Sequence, residues 1–250
     1  MAGHSKWANI KRRKGAQDAK RGNLFQKLVK AIIVAAREGG PDPAMNMRLK
    51  AAIDRAKAAS VPNDNIIRGI KRGTGELEGG QLEEIVYEAY GPNGVAILLE
   101  VLTDNRNRTA SEMRALLTRN GGNLGESGSV AWMFERKGVV EVTGKDIDEE
   151  ELMTVALYSG AEDMQEEGDG FIIHSEPGAF GGIKEALETA GYVVERAETE
   201  MISSNTVLVD DAEKAGRVLR LMDLLEEHDD VQNAYSNFDI PDEIMESLDD

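Results

Sequence analysis

Residues 95–120 read VAILLEVLTDNRNRTASEMRALLTRN, and their character changes twice. Val95–Val101 is an almost unbroken apolar run, which predicts a strand buried on both faces. Thr103-Asp104-Asn105-Arg106-Asn107-Arg108-Thr109 is polar and joins that strand to a helix start. A helix is predicted over Thr109–Asn120, because Thr109-Ala110-Ser111-Glu112 matches the S/T-x-x-E capping box. The same alternation runs outward toward the C-terminus. Strands are predicted at Val130–Phe134, Val139–Val142, Phe171–His174, Tyr192–Arg196, Thr206–Val209 and Val231–Asn237. Helices are predicted at Glu149–Tyr158, Ile183–Ala190 and Glu213–Glu227, the last with the stripe Val218, Leu221, Met222, Leu225. Short β-α-β units with alternating helices and hairpins predict α+β sandwiches of the ferredoxin-like type. There are too many elements for one such unit, so two are expected. Periodicity does not say whether they follow one another or one is inserted into the other.

Upstream the pattern is helical. Residues 1–22 lack apolar periodicity and read as a mobile or weakly helical arm. Asn23 is placed to cap a helix carrying Leu24, Phe25, Leu28, Val29, Ile32 and Ile33, which Gly39-Gly40-Pro41 stops. Asp42-Pro43 opens a second helix with Met45, Leu49, Ile53 and Ala56 as its stripe. Pro62-Asn63 breaks that helix, and Asn63 is placed to cap a third, with Ile66, Ile67 and Ile70 toward the core. Residues 73–80, GTGELEGG, hold four glycines and read as a linker.

That linker is also where the charge reverses. The net charge of −17 hides 17 Lys and Arg against 7 Asp and Glu in residues 1–80, and 12 against 39 in residues 81–250. A basic module joined to an acidic body points to a polyanionic partner met at the basic end. The cations of the arm are Lys6, Lys11, Arg12, Arg13, Lys14, Lys20 and Arg21. Such a cluster binds phosphates by counterion release, and Trp7 among them is suited to stacking on a base. Arg68, Lys71 and Arg72, spaced i, i+3, i+4, share one helix face and can extend the footprint; the alternative is an ordinary solvated helix surface. The charge points to a polyanion, with nucleic acid, DNA or RNA, the expected partner and no small-molecule substrate; the alternative is a solvated tail with no target.

Other chemistry is thin. Asn105, Arg106, Asn107, Arg108 and Thr109 lie at a helix start, where backbone N–H groups attract anions, so they form a candidate anion or partner site. The alternative is that Asp104 and Asn105 shape a turn and the arginines pair with nearby acids. The loop Gly121–Ser129 is glycine-rich but lacks the Lys-Ser/Thr of a P-loop, so a flexible or bulged connection is expected. His4, His174 and His228 are scattered, and no nucleophile, metalloprotease or EF-hand motif occurs. The acidic runs Glu162–Asp169 and Glu226–Asp230 lack ligand spacing. No enzyme activity, cofactor or metal is therefore expected. With no cysteine, thiolate chemistry is excluded. The longest apolar runs, Ala31–Ala36 and Val95–Leu99, are too short to span a bilayer, and the basic N-terminus lacks the apolar core of a secretory signal. A soluble cytoplasmic protein, off the membrane, is expected.

Three stretches also carry a resemblance. Ala2–Lys11 (AGHSKWANIK), Leu102–Thr109 (LTDNRNRT) and Asn120–Gly125 (NGGNLG) closely resemble the YebC family, which includes the mitochondrial translational activator of cytochrome c oxidase. The likeness runs from residue 2 to about residue 240. It implies three domains: a helical N-terminal domain, residues 1–80, and two α/β domains with the third inserted into the second. Here that means 81–133 with 205–240 for the second and 134–204 for the third. The family is usually described as DNA-binding transcriptional regulators. Some members are described as ribosome-associated translation factors that relieve stalling at proline-rich sequences, which implies ribosomal RNA as the alternative partner. The resemblance implies no enzyme, and it raises the interest of the Asn105–Thr109 loop without naming its ligand.

Overall fold

The computed structural model describes residues 18–144, 147–168 and 170–248. Lys6, Trp7, Lys11, Arg12, Arg13 and Lys14 lie outside the described residues.

The chain opens on three helices: α1 (Asp18–Gly39), α2 (Met47–Ala58) and α3 (Asn63–Gly73). Ile32, Ala35, Ala36, Leu49, Ile53, Ala56 and Ile66 form their shared core. α1 starts before Asn23, so Asn23 is no cap. Residues 18–21, Asp-Ala-Lys-Arg, include strong helix formers that continue the helix backward. The Asn23 amide instead donates to the Glu227 carbonyl. α2 starts at Met47, not at Asp42-Pro43. Asp42 holds a turn there, accepting from the Ala44 N–H at 2.9 Å. Buried Asn46 then decides the boundary. Its Oδ1 accepts from the Leu49 N–H at 3.0 Å, while its Nδ2 donates to the carbonyls of Ala35 (2.7 Å) and Gly40 (2.9 Å). One side chain thus satisfies orphan groups at the end of α1 and the start of α2. Met45 falls in the turn and is exposed, as is Ile67 on α3. α1 and α3 pack closely because α3 offers glycine at the crossing. A methyl group at Gly69 would press on Ile32 at 3.1 Å, and one at Gly73 would collide with the Ile33 carbonyl.

Thr74–Gly80 leads without a regular element into β1 (Glu83–Tyr90) and β2 (Ala96–Thr103), which pair antiparallel from Glu83↔Thr103 to Tyr90↔Ala96. β1 was not foreseen. Its alternation of Ile85, Tyr87 and Ala89 is interrupted by Glu83, Glu84 and Glu88, which read as solvated surface. α4 (Arg106–Arg119) and β3 (Asn123–Leu124) follow. α4 begins three residues before Thr109. Asn105 is its N-cap, accepting from the Arg108 N–H at 3.0 Å, and Thr109 lies buried inside the helix.

Trp132–Thr206 forms a compact unit of its own. It comprises β4 (Phe134–Thr143), α5 (Glu149–Tyr158), β5 (Ala161–Glu167), β6 (Gly170–Ser175), α6 (Phe180–Thr189) and β7 (Val193–Ser203). The sheet is antiparallel, in the order β5-β6-β4-β7, and with its βαββαβ connectivity this is the ferredoxin-like arrangement. Val140, Val142, Ile173, Leu152, Ile183 and Leu187 are its core. The expected strands at Val130–Phe134 and Val139–Val142 are corrected to the single strand β4, beginning at Phe134. The Val130 and Ala131 amides donate to the Glu88 carboxylate and do not enter the ladder. The acidic run from Glu162 is largely the edge strand β5, where charge discourages edge-to-edge pairing. β7 continues past Arg196 to Ser203 because it pairs along the whole of β4.

The chain then resumes the first unit with β8 (Val207–Leu208), α7 (Ala212–Glu226), β9 (Val231–Ser236), β10 (Phe238–Asp239) and α8 (Asp242–Ser247). β9 pairs antiparallel with β2, giving the order β3-β1-β2-β9, while β8 and β10 form a short parallel pair. This sheet is also α+β, but its strands enter as a hairpin first, unlike the βαββαβ unit. Ile97, Leu99 and Val101 of β2 pack on Met113 and Leu117 of α4 and on Val218, Leu221, Met222 and Leu225 of α7. Leu102, on the opposite face, meets Ile33 and Val34 of α1 and Leu82. β2 is therefore covered on both sides, as its apolar run requires.

Candidate nucleic-acid interface

α3 presents Arg68, Lys71 and Arg72 to solvent, one turn apart on one side. Among the described residues, no hydrogen bond or ion pair joins these three side chains to a carboxylate. Beside them α1 and α3 enclose a groove of about 510 Å³, lined by Phe25, Val29, Ile33, Gly69, Arg68 and Arg72 among others. Lys20 and Arg21 fall in the first turn of α1.

Lys27, Lys30, Arg37 and Arg48 have structural partners instead, while Lys50 and Lys57 are exposed on α2. Lys27 donates to the Glu226 carbonyl and Lys30 to the Asp229 carbonyl at 3.0 Å, just past the C-terminus of α7. Ammonium groups are favoured there, at the negative end of the helix dipole. Arg37 donates to the Leu82 carbonyl, and Arg48 pairs with Glu38 and Glu84. These bonds fix α1 to the sheet and leave the α3 cations facing outward.

The Asn105–Thr109 loop turns inward more than its composition suggests. Its organiser is Asp230, which is 3% exposed and lies in the acidic run before β9. One carboxylate oxygen accepts from Lys30 Nζ at 2.7 Å; the other accepts from Arg108 at 2.8 Å and from the Thr109 hydroxyl at 2.7 Å. Thr109 also meets the Thr103 hydroxyl at 2.8 Å, and Arg108 pairs with Asp104 at 3.2 Å. Burial alone would raise the Asp230 pKa, but hydrogen bonds from Lys30, Thr109 and Arg108 hold it well below the usual carboxylate range. Asn105, Arg108 and Thr109 therefore have structural duties, while Arg106 and Asn107 are exposed on the first turn of α4. The sequence offered no local signal for Asp230 or Lys30, which are 200 residues apart.

Glu112, His228 and Asp230 bring potential ligand atoms within 4.8 Å of one another. The geometry suits an ion-pair network better than a metal. Both Asp230 oxygens are engaged by cations, His228 Nδ1 accepts the Asp230 N–H at 3.1 Å, and His228 Nε2 faces Glu112 at 3.1 Å.

The glycine-rich loop is likewise ordered by an internal anion. The Glu88 carboxylate accepts from the N–H groups of Gly128 (2.6 Å), Val130 (2.7 Å) and Ala131 (2.8 Å). Burial pushes its pKa up, yet these amides outweigh burial and lower it. The loop is an N–H cradle, but its anion is a side chain of this protein.

The fold and surface define a class: a basic helical segment fixed to an α+β sheet, with a ferredoxin-like unit inserted in its chain. Residues 5–76 match the model described as "TACO1/YebC protein N-terminal domain", and residues 82–238 match "TACO1/YebC second and third domain". The chain belongs to the YebC family. It is 57% identical over 250 residues to a "Probable transcriptional regulatory protein" of Halothermothrix orenii, covering 99% of each chain. It is also 57% identical over 251 residues to one of the same name from Moorella thermoacetica, covering 100% of each. The crystal structure of a conserved hypothetical protein from Aquifex aeolicus is similar at TM-score 0.81 and 50% identity, covering 91% of this chain and 94% of that one. No helix among the described residues is long and apolar enough to cross a membrane.

Proposed function

We propose that this chain is a DNA-binding transcriptional regulator that holds its target through residues 1–80 and performs no catalysis. The observation that carries this reading is the α3 face. Arg68, Lys71 and Arg72 stand together in solvent without a carboxylate partner among the described residues, in a chain of net charge −17. Cations so placed meet phosphate, which positions a protein on nucleic acid without reading its sequence. The names of the relatives supply the regulatory role.

The test is crosslinking of the tagged protein in growing cells, with sequencing of bound DNA and bound RNA. Discrete promoter peaks, with crosslinks in residues 1–80, are expected. Enrichment of ribosomal RNA without promoter peaks would overturn the reading in favour of a translation factor.

A further inference from the structure

The α1–α3 groove has a chemistry that phosphate binding alone does not call for. Its floor is apolar, from Phe25, Val29 and Ile33 of α1, with Gly69 of α3, while Arg68 and Arg72 stand on its rim. Its volume of about 510 Å³ lies in the range, roughly 300–1,000 Å³, that holds small ligands. Phe25 is half-buried, packed on the helical core while lining the groove. Guanidinium groups beside an aromatic and aliphatic floor complement a ligand that is anionic at its edge and flat and apolar at its centre. A nucleotide is such a ligand. In a duplex the base faces are stacked and only the edges show. The Gln26 and Asn65 amides also line the groove and are able to meet a base edge, but its apolar wall of Phe25 and Val29 can use only a base whose face is free.

We propose that this groove takes one unpaired nucleotide of a nucleic-acid strand, its base against Phe25 and Val29 and its flanking phosphates on Arg68 and Arg72. This rests on the nucleic-acid reading above and adds to it the strandedness of the target. An unpaired segment of DNA and a single-stranded RNA share this chemistry.

The test uses the full chain in anisotropy titrations at fixed salt. The probes are single-stranded DNA, single-stranded RNA and blunt DNA duplex of one sequence. At least one single strand is expected to bind about five- to tenfold more tightly than duplex, the low end of the value of one stacked base. Phe25→Leu stays apolar and removes the ring, so it abolishes the difference between single strand and duplex; Phe25→Trp retains it. Gln26→Glu, an exposed change in the lining that needs no core repacking, places a carboxylate beside the phosphates. It weakens single-strand binding several-fold more than duplex binding and carries the test if Phe25→Leu unfolds. The better-bound single strand identifies the source. Equal affinity for all three probes, or a preference that survives both Phe25→Leu and Gln26→Glu, would overturn the groove and leave the nucleic-acid reading standing. Failure of every probe to bind would overturn both.

Discussion

Asp230 joins α1, α4 and the start of β9 through Lys30, Arg108 and Thr109. Removing its charge would leave two cations facing each other across a buried site. Asp230→Asn is expected to lower stability at neutral pH by about 2 kcal/mol, less than a fully buried ion pair because Arg108 is 44% exposed and water screens it. The sign of the pH effect follows from the depressed pKa. An unfolded aspartate titrates near pH 3.9, so the stabilisation is full above that value and is lost as pH falls from there toward the folded pKa. Urea unfolding of the wild type should therefore show stability falling below about pH 4.5, with that part of the slope missing in Asp230→Asn. Arg106 and Arg108 should separate in the same assay. Arg108→Ala costs about 1.5–3 kcal/mol, as a charge-assisted bond would, and Arg106→Ala less than about 0.5 kcal/mol, as a surface change. Equal small effects would mean that Asp230 does not need Arg108.

At the scale of elements, the Gly121–Ala131 segment owes its order to Glu88 of β1. Glu88→Gln keeps the shape but replaces one acceptor with a donor aimed at backbone N–H groups. Hydrogen exchange at Gly128, Val130 and Ala131 is expected to accelerate, with a stability loss of about 1–3 kcal/mol; unchanged protection would show that the loop holds itself. The elements also show what local sequence can and cannot tell. β2, α5 and α7 were legible because their apolar spacing is unbroken. α4 was misplaced by three residues because its capping-box threonine is needed elsewhere: the Thr109 hydroxyl bonds Asp230, 121 positions away. β1 was hidden by its glutamates, one of which anchors a distant loop. The two strands read as separate merged into β4, since β7 offers a partner along its full length. At the candidate site, the i, i+3, i+4 spacing made Arg68, Lys71 and Arg72 visible. The groove beside them was not, because it depends on how closely Gly69 and Gly73 let α3 approach α1.

On the scale of the whole molecule, charge is segregated along the chain, with a surplus of ten cations in residues 1–80 and of twenty-seven anions beyond them. Lys27, Lys30, Arg37 and Arg48 use part of that surplus to fix α1 and α2 in place. Among the described residues the α3 cations stay exposed, as do Lys50 and Lys57 of α2; for the α3 cations and those of residues 1–17 we propose contact with nucleic acid. An acidic remainder of this size repels phosphate at long range, which under the proposed function would restrict docking to the basic end. The most direct measurement is the salt dependence of nucleic-acid affinity for the wild type and for the Lys11, Arg12, Arg13, Lys14→Ala variant. Each phosphate contact contributes close to one unit of log–log slope, so the variant should bind every sequence more weakly, with a slope flatter by roughly 3. An unchanged slope would contradict the claim that the basic N-terminal segment is where this protein meets its polyanion.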